Sequence, residues 1–179
     1  MAVALRPATQ GDADAIAALW NPVIRDTLFT FNAVEKSAAD IAELIAAKTA
    51  SGHPFLLGEL DGALAGFVTY SQFRGGVGYA RTMEHTIILA ESARGHGLGR
   101  ALMRAVEDQA RQAGIGSLIA GVSAANPQGR AFHAALGYRE IAVLPAVGFK
   151  WGRWIDLVLM QKLFVNSAPP GPDRPDRAV

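Results

Sequence analysis

The 179-residue sequence contains no cysteine, which excludes disulfide bonds, thiolate zinc sites and a cysteine nucleophile. It also lacks an excess of charge, since 17 Lys and Arg against 16 Asp and Glu leave a net charge of +1. We therefore expect no nucleic-acid partner. No apolar run is long enough for a membrane span, and Met1–Arg6 is too short for a signal peptide. These absences favour a cytoplasmic protein that binds neither membranes nor nucleic acid.

The length and composition favour one compact domain. Half of the residues are hydrophobic and 18% are charged, which is typical of a chain that buries a sizeable core. From Asn166 onward the sequence changes to SAPPGPDRPDRAV, with four prolines and almost no apolar content. We expect a single domain over residues 1–165, followed by a disordered proline-rich tail over residues 166–179.

Capping signals predict two helices near the N-terminus, after a short first strand at VALR. Thr9 and Asp12 form a capping box before ADAIAALWNPVIRDT, whose apolar residues follow helical spacing. Pro22 lies inside that pattern and should bend or split the helix. Ser37 and Asp40 repeat the capping signal for a second helix.

The remainder of the chain alternates strands and helices. Asp61-Gly62 between FLLGEL and ALAGFVTYS predicts a β-hairpin, and MEHTIIL predicts a strand over 83–89. A third helix is expected over about 99–113, a buried strand at LIAGV, and a fourth helix from the Asn126-Pro127 cap to Gly137. YREIAVL and WIDLVLMQKL supply two last strands. This order predicts an α/β (α+β) fold, with a mixed, twisted central sheet and helices on both faces.

The strand over 83–89 leads into a loop with three glycines in five residues: Arg94, Gly95, His96, Gly97, Leu98, Gly99 and Arg100. A Walker loop would need Lys-Ser or Lys-Thr after its last glycine, and a dinucleotide fingerprint would need different glycine spacing. What remains is a set of unobstructed backbone N–H groups at a helix N-terminus, which favours anions. Two flanking arginines add positive charge. The loop predicts a phosphate site, in particular for a pyrophosphate.

Arg94, Gly97 and Gly99, in this spacing after an apolar strand, resemble the acetyl-CoA pyrophosphate loop of the GNAT superfamily of N-acetyltransferases. The resemblance covers residues 4–164 and is strongest to phosphinothricin and methionine sulfoximine acetyltransferases. It is carried by LWNPVIRDTLFTF, GFVTYSQFR, TMEHTIIL, AFHAALGYRE and VGFKWGRWIDLVLMQ. It implies a mostly antiparallel sheet of about seven strands with about four helices. It also implies acetyl-CoA as co-substrate, no metal, and a homodimer.

The alternation of the strand over 83–89 places Glu84 and Thr86 on one face and His85 on the other. In the resembling enzymes the Glu84 face meets the acceptor amine, which implies that Glu84 is the general base; a solvated or ion-paired glutamate is the alternative. We expect His85 to be a core histidine satisfied by one hydrogen bond. His133 occupies the position of a tyrosine that protonates the CoA sulfur in many GNAT enzymes, although it could simply cover the edge of the core.

The resemblance also assigns binding residues. The CoA set comprises the backbone of Ile87, Ile88 and Leu89, the loop from Arg94 to Arg100 and the helix cap Asn126, with His96 pointing to solvent. One backbone N–H of the strand could serve the oxyanion. Candidates for the acceptor are Phe31, Phe73, Arg74, Tyr79, Glu84 and Thr86, with Lys150 and Trp154 as further possibilities, either from the far end of the chain or from a partner subunit. Arg74 can pair with an α-carboxylate or remain an exposed loop charge. Asn32 and Gly76 replace an acidic residue and an arginine of related sequences.

These features predict an acetyl-CoA-dependent N-acetyltransferase acting on the α-amine of a small amino-acid-like compound, such as phosphinothricin, methionine sulfoximine or methionine sulfone. One alternative is another amine acceptor, namely a polyamine, an aminoglycoside or a protein N-terminus. Another alternative is a non-catalytic sensor that binds acyl-CoA. The presence of both Glu84 and His133 disfavours a sensor.

Overall fold

The computed structural model describes residues 2–164. Within them the strands are β1 Val3–Pro7, β2 Phe55–Leu60, β3 Ala63–Gln72, β4 Thr82–Leu89, β5 Ser117–Ser123, β6 Arg139–Lys150 and β7 Arg153–Leu163. The α-helices are α1 Ala13–Asp26, α2 Ala38–Ala50, α3 Leu98–Gln112 and α4 Pro127–Ala135. Three short 3₁₀ helices occupy Gln10–Asp12, Val77–Tyr79 and Glu91–Ala93. The tail predicted over residues 166–179 lies outside the described residues.

One sheet of seven strands in the order β1-β2-β3-β4-β5-β7-β6 organises the described chain. All neighbouring strands are antiparallel except β4 and β5, which are parallel. The predicted fold class, a mixed and mostly antiparallel sheet with helices on both faces, is confirmed.

Both capping boxes form as the sequence predicts. Ser37 accepts a hydrogen bond from the backbone N–H of Asp40 at the start of α2, and the Thr9–Asp12 pair precedes α1. Pro22, however, does not split α1, which runs unbroken from Ala13 to Asp26. Proline removes one helical hydrogen bond, and it withdraws the partner of the Ala18 carbonyl.

The hydrophobic core lies on both faces of the sheet. On one face, α1 and α2 pack Ile16 and Ile41 against Leu57 and Phe67. On the other, α3 packs a larger set that includes Leu98, Leu102, Met103, Val106, Leu118 and Val158, with Phe132 of α4 against it. Two layers of helices therefore hold the central strands from both sides. No helix within residues 2–164 is long and apolar enough to cross a bilayer.

Candidate active site

The two central parallel strands separate after a short contact. β4 and β5 pair only at Thr82 with Ser117, Met83 with Leu118 and Glu84 with Ile119, although both strands continue beyond these positions. The gap between them widens into a cleft of about 1250 Å³. Residues from α1, α2 and the 27–32 loop line one side of the cleft, and residues from α4 line the other. The site is therefore a passage between the two faces of the sheet.

The edge of β4 along this gap carries free backbone groups. The backbone N–H of Ala90 donates to the Ala65 carbonyl next to β3, and the Arg81 carbonyl accepts from the Gly116 N–H next to β5. Backbone groups alternate in direction along a strand, so the N–H and C=O groups of even-numbered residues point to β3 and those of odd-numbered residues point to the gap. Because β5 has turned away, the N–H and C=O groups of Ile87 and Leu89 have no partner strand among the described residues. A pantetheine arm, whose amides resemble those of a peptide, can add to such an edge.

The glycine loop lies at the end of β4, before α3. Gly95 and Gly97 have φ angles of 78° and 76°, the left-handed region in which glycine is favoured. Gly99 is needed for a different reason, because a Cβ there would lie 2.8 Å from Leu89 Cδ1. Within residues 2–164, the N–H groups of Gly95, Gly97, Leu98, Gly99 and Arg100 donate to no other residue. The loop therefore places five amides without a partner among the described residues at a helix N-terminus, an arrangement that favours anions.

Arg94, His96 and Arg100 have exposed side chains in this loop. Arg94 also lines the cleft. Asn126 lines the cleft as well and caps α4, because its Oδ1 accepts a hydrogen bond from the Gly129 N–H at 2.8 Å. All the CoA candidates lie along β4, the loop that follows it, or the start of α4. Ile87, Ile88, Leu89, Arg94 and Asn126 line the cleft, whereas residues 95–100 follow Arg94 in the chain and do not line it.

Glu84 is the last residue of β4 that pairs with β5, so it lies where the gap between these two strands begins. Its carboxylate lies over Gly121 of β5, where a Cβ would be 2.7 Å from Oε1. The side chain is half-buried in the cleft wall with Thr86, and burial raises its pKa above the ordinary value of 4.5. Desolvation makes a carboxylate a better proton acceptor, which suits a general base.

His85 and His133 form a buried pair on the opposite face from Glu84. Their Nε2 atoms lie 2.9 Å apart, and His133 Nδ1 donates to the Gly129 carbonyl at 2.7 Å. His85 is buried, as we expected, and its Nε2 lies within hydrogen-bond distance of His133. Burial lowers the pKa of both rings, that of His85 to about 3. Both imidazoles are therefore neutral near neutral pH.

The acceptor candidates are not all brought together. Phe31 lines the cleft, and its ring packs against Gly148, where a Cβ would lie 2.5 Å from Cγ. Phe73, Arg74 and Tyr79 do not line the cleft; Arg74 is exposed and stacks over the Phe73 ring at 5.5 Å. The 73–79 part of the loop after β3 therefore does not contribute to the cleft, although three acceptor candidates were predicted there.

Lys150 has a different role from the one considered in the sequence. Its Nζ donates to the carbonyls of Ile24, Thr27 and Thr30 at 2.5, 2.8 and 3.1 Å. An ammonium has three N–H groups, so none is left for an acceptor. Lys150 instead holds the end of α1 and the loop that carries Phe31. Trp154 is 67% exposed, stacks on Phe149 and lies outside the cleft.

The sequence reasoning missed Lys48, a buried lysine of α2 that lines the cleft. A sequence signal existed, because Lys48 follows Ile41 by seven residues and Ile45 by three, on the apolar face of the helix. A charged residue at such a position is buried and needs partners.

Comparison with known proteins agrees with this geometry. The Acetyltransferase (GNAT) family profile matches residues 20–138. The chain is 32% identical to the L-amino acid N-acyltransferase MnaT of Escherichia coli K12, over 89% of this chain and 92% of that protein. It is 30% identical to the L-methionine sulfoximine/L-methionine sulfone acetyltransferase of Salmonella typhimurium LT2, over 93% and 97% of the two chains.

Among solved structures, the fold is similar to the GNAT superfamily phosphinothricin acetyltransferase (Pat) from Sinorhizobium meliloti in complex with AcCoA. The TM-score is 0.88 and the identity 30%, over 95% of that chain and 97% of this one. The chain belongs to the GNAT family of acetyltransferases, and it is an N-acetyltransferase that uses acetyl-CoA. Within residues 2–164, no three His, Cys, Asp or Glu side chains are grouped so that they could hold a metal ion.

Proposed function

We propose that this enzyme acetylates the α-amino group of a small amino-acid-like acceptor of the phosphinothricin, methionine sulfoximine or methionine sulfone type. The observation that carries the proposal is the position of Glu84, a half-buried carboxylate at the point where β4 and β5 separate. Two relatives at 30–32% identity, named for L-amino acids and for methionine sulfoximine and sulfone, support this acceptor class.

In this proposal acetyl-CoA supplies an acetyl thioester along β4, and the acceptor enters from the α1–α2 side. Glu84 takes the proton of the acceptor nitrogen, directly or through one water, as the nitrogen bonds to the carbonyl carbon. A backbone N–H on the free edge of β4, at Ile87 or Leu89, donates to the carbonyl oxygen as it becomes negative. The tetrahedral adduct then collapses: the C=O bond re-forms, the carbon–sulfur bond breaks, and CoA leaves as the thiolate. Thr86 lies beside Glu84 in the cleft wall.

The role of His133 as an acid for the CoA sulfur stays a prediction, and the structure sets a condition on it. In the neutral ring, Nδ1 carries the proton donated to Gly129, so Nε2 must accept from His85. His133 can therefore donate a proton from Nε2 only after the ring has been protonated there, and burial opposes this protonation because it lowers the pKa of the ring.

The direct test is incubation with acetyl-CoA and methionine sulfoximine, methionine sulfone or phosphinothricin, with CoA release monitored by a thiol reagent. The expected result is CoA release and an N-acetylated product identified by mass spectrometry. CoA release only with polyamines, aminoglycosides or peptide N-termini would refute the proposed acceptor class. Acetyl-CoA binding without release over the whole amine panel would point to a sensor.

We also propose a homodimer that forms through the β6–β7 hairpin. Large apolar side chains are exposed along these two strands and their turn: Ile141, Val143, Leu144, Val147, Phe149, Trp151 and Trp154. A group of exposed apolar side chains on a hairpin at the edge of a sheet is typical of a protein interface. The same hairpin carries Gly148 and Lys150, which support the Phe31 loop, so an interface here would steady the acceptor side of the cleft. The predicted cytoplasmic location stays a prediction.

A further inference from the structure

The wall of the cleft formed by α2 contains a buried ammonium. Lys48 is 6% exposed, and its Nζ donates to the Tyr70 carbonyl at 2.5 Å and to the Ser71 Oγ. These bonds use two of its three N–H groups, and no carboxylate within residues 2–164 lies within salt-bridge distance. Burial lowers the pKa of this ammonium. A buried cation without an anion is costly unless a ligand supplies the missing charge.

The ammonium lies close to the proposed reaction centre. Ser71 is the register partner of Glu84 across β3 and β4, and directly opposed side chains on one sheet face are neighbours. Lys48, Ser71 and Glu84 all line the same cleft. A group bound to Lys48 and a nitrogen placed at Glu84 are therefore separated by about the width of one strand pair.

Two other cations line the cleft, but their surroundings differ. Lys36 stacks over the Trp20 ring at 4.8 Å, and Arg94 is exposed in the glycine loop. Neither is buried beside Glu84. Arg74, the carboxylate partner expected from the sequence, does not line the cleft.

We infer that Lys48, with the Ser71 hydroxyl, is the anion subsite of the acceptor cleft and binds the carboxylate next to the amine that is acetylated. In an α-amino acid one carbon separates these two groups, so an acceptor held at Lys48 presents its nitrogen towards Glu84. The subsite selects amino acids over amines without a carboxylate. This inference rests on the proposed function and specifies which residue recognises the acceptor.

The test compares L-methionine sulfone with its carboxamide, which keeps the amine and loses the anion. The wild type should prefer the carboxylate. Lys48→Met should lower kcat/KM for methionine sulfone about 10- to 100-fold, mainly through KM, because a charged hydrogen bond is lost. The kcat/KM of Lys48→Met for the carboxamide should differ little from that of the wild type, so the preference for the carboxylate should be lost. Lys48→Arg should keep part of the preference, and Lys36→Met is the matched control that should keep all of it.

Acetyl-CoA affinity by calorimetry and the melting temperature show whether Lys48→Met is folded. An equal fall for both acceptors would mean that Lys48 is purely structural and would overturn the inference. A wild type that shows no preference for the carboxylate would overturn it without any variant. A wild type that acetylates neither methionine sulfone, methionine sulfoximine nor phosphinothricin would instead refute the proposed function, and the inference with it.

Discussion

His85 Nε2 lies 2.9 Å from His133 Nε2, which joins β4 to α4 across the widening gap of the sheet. Because His133 Nδ1 donates to the Gly129 carbonyl, the hydrogen between the two rings belongs to His85 in the neutral pair. The pair therefore holds two protons, and a third would have to be accommodated among buried rings. Tyr138 packs against both imidazoles and offers no charge to compensate.

This pair should make the protein sensitive to mild acid. The folded pKa of His85 is about 3 against 6.5 when unfolded, so the unfolded chain takes up the proton first as pH falls below 6.5. The contribution of His85 to the free energy of unfolding is fully present above pH 6.5. Below pH 6.5 this contribution should fall by up to about 1.4 kcal/mol for each unit by which the pH decreases. Thermal unfolding in steps from pH 7.5 to 4 measures the slope.

His85→Gln removes the titrating ring and should reduce that slope, and the part that remains includes the buried His133, whose pKa is also lowered. A His85→Gln variant with the full wild-type pH dependence would show that the pair is not responsible.

Glu84→Gln should lower kcat/KM by about 10²- to 10⁴-fold, because a general base is lost while the shape of the cleft is kept. In the wild type, activity should rise with pH as Glu84 loses its proton, with a midpoint above 4.5 because burial raises its pKa. The variant should lack that rise. Steady-state rates across pH measure both effects, with the exposed Glu43→Gln as control. A variant with a wild-type pH profile would remove Glu84 from the mechanism.

Gly97→Ala should weaken acetyl-CoA binding. Alanine at a φ of 76° is strained by about 1–2 kcal/mol, and relief of that strain moves the amides of the loop. We expect the Kd for acetyl-CoA to rise about 5- to 30-fold by calorimetry. Gly52→Ala introduces similar strain at a φ of 68° after α2, so it should lower the melting temperature without changing this Kd. Equal affinities for the two variants would argue against the loop as the phosphate site.

The β6–β7 patch should control the oligomeric state. Val143 is 48% exposed on β6, and Val143→Glu would place two like charges close together if the interface is two-fold. Sedimentation analysis should show a two-chain mass for the wild type and a one-chain mass for this variant. Val77→Glu, at a loop position that is 96% exposed, should remain dimeric. A one-chain mass for the wild type at all concentrations would refute the dimer.

Local features of the fold were predictable from the sequence. The capping boxes at Thr9 and Ser37, and the Asp61-Gly62 turn with φ angles of 48° and 83°, depend on residues within one turn of each other. The glycine loop is similar, because its φ angles and its position between a strand and a helix are local properties. For Pro22, the sequence left open whether the helix would bend or split, and the structure shows that it does not split.

The sequence by itself determined the order of the main elements, the conformation of the glycine loop and the strand face that carries Glu84, because these follow from neighbours along the chain. Only the tertiary structure decided how the site is assembled. The separation of β4 from β5, the contact of His85 with His133 across 48 residues, and that of Lys48 with β3 across 22 residues depend on how elements distant in the chain pack. Tertiary structure also left Arg74 outside the cleft and placed Lys48 inside it. A side chain's type limits the chemistry it can perform, but its depth and partners, which set its pKa and its access to a ligand, arise only when distant elements meet.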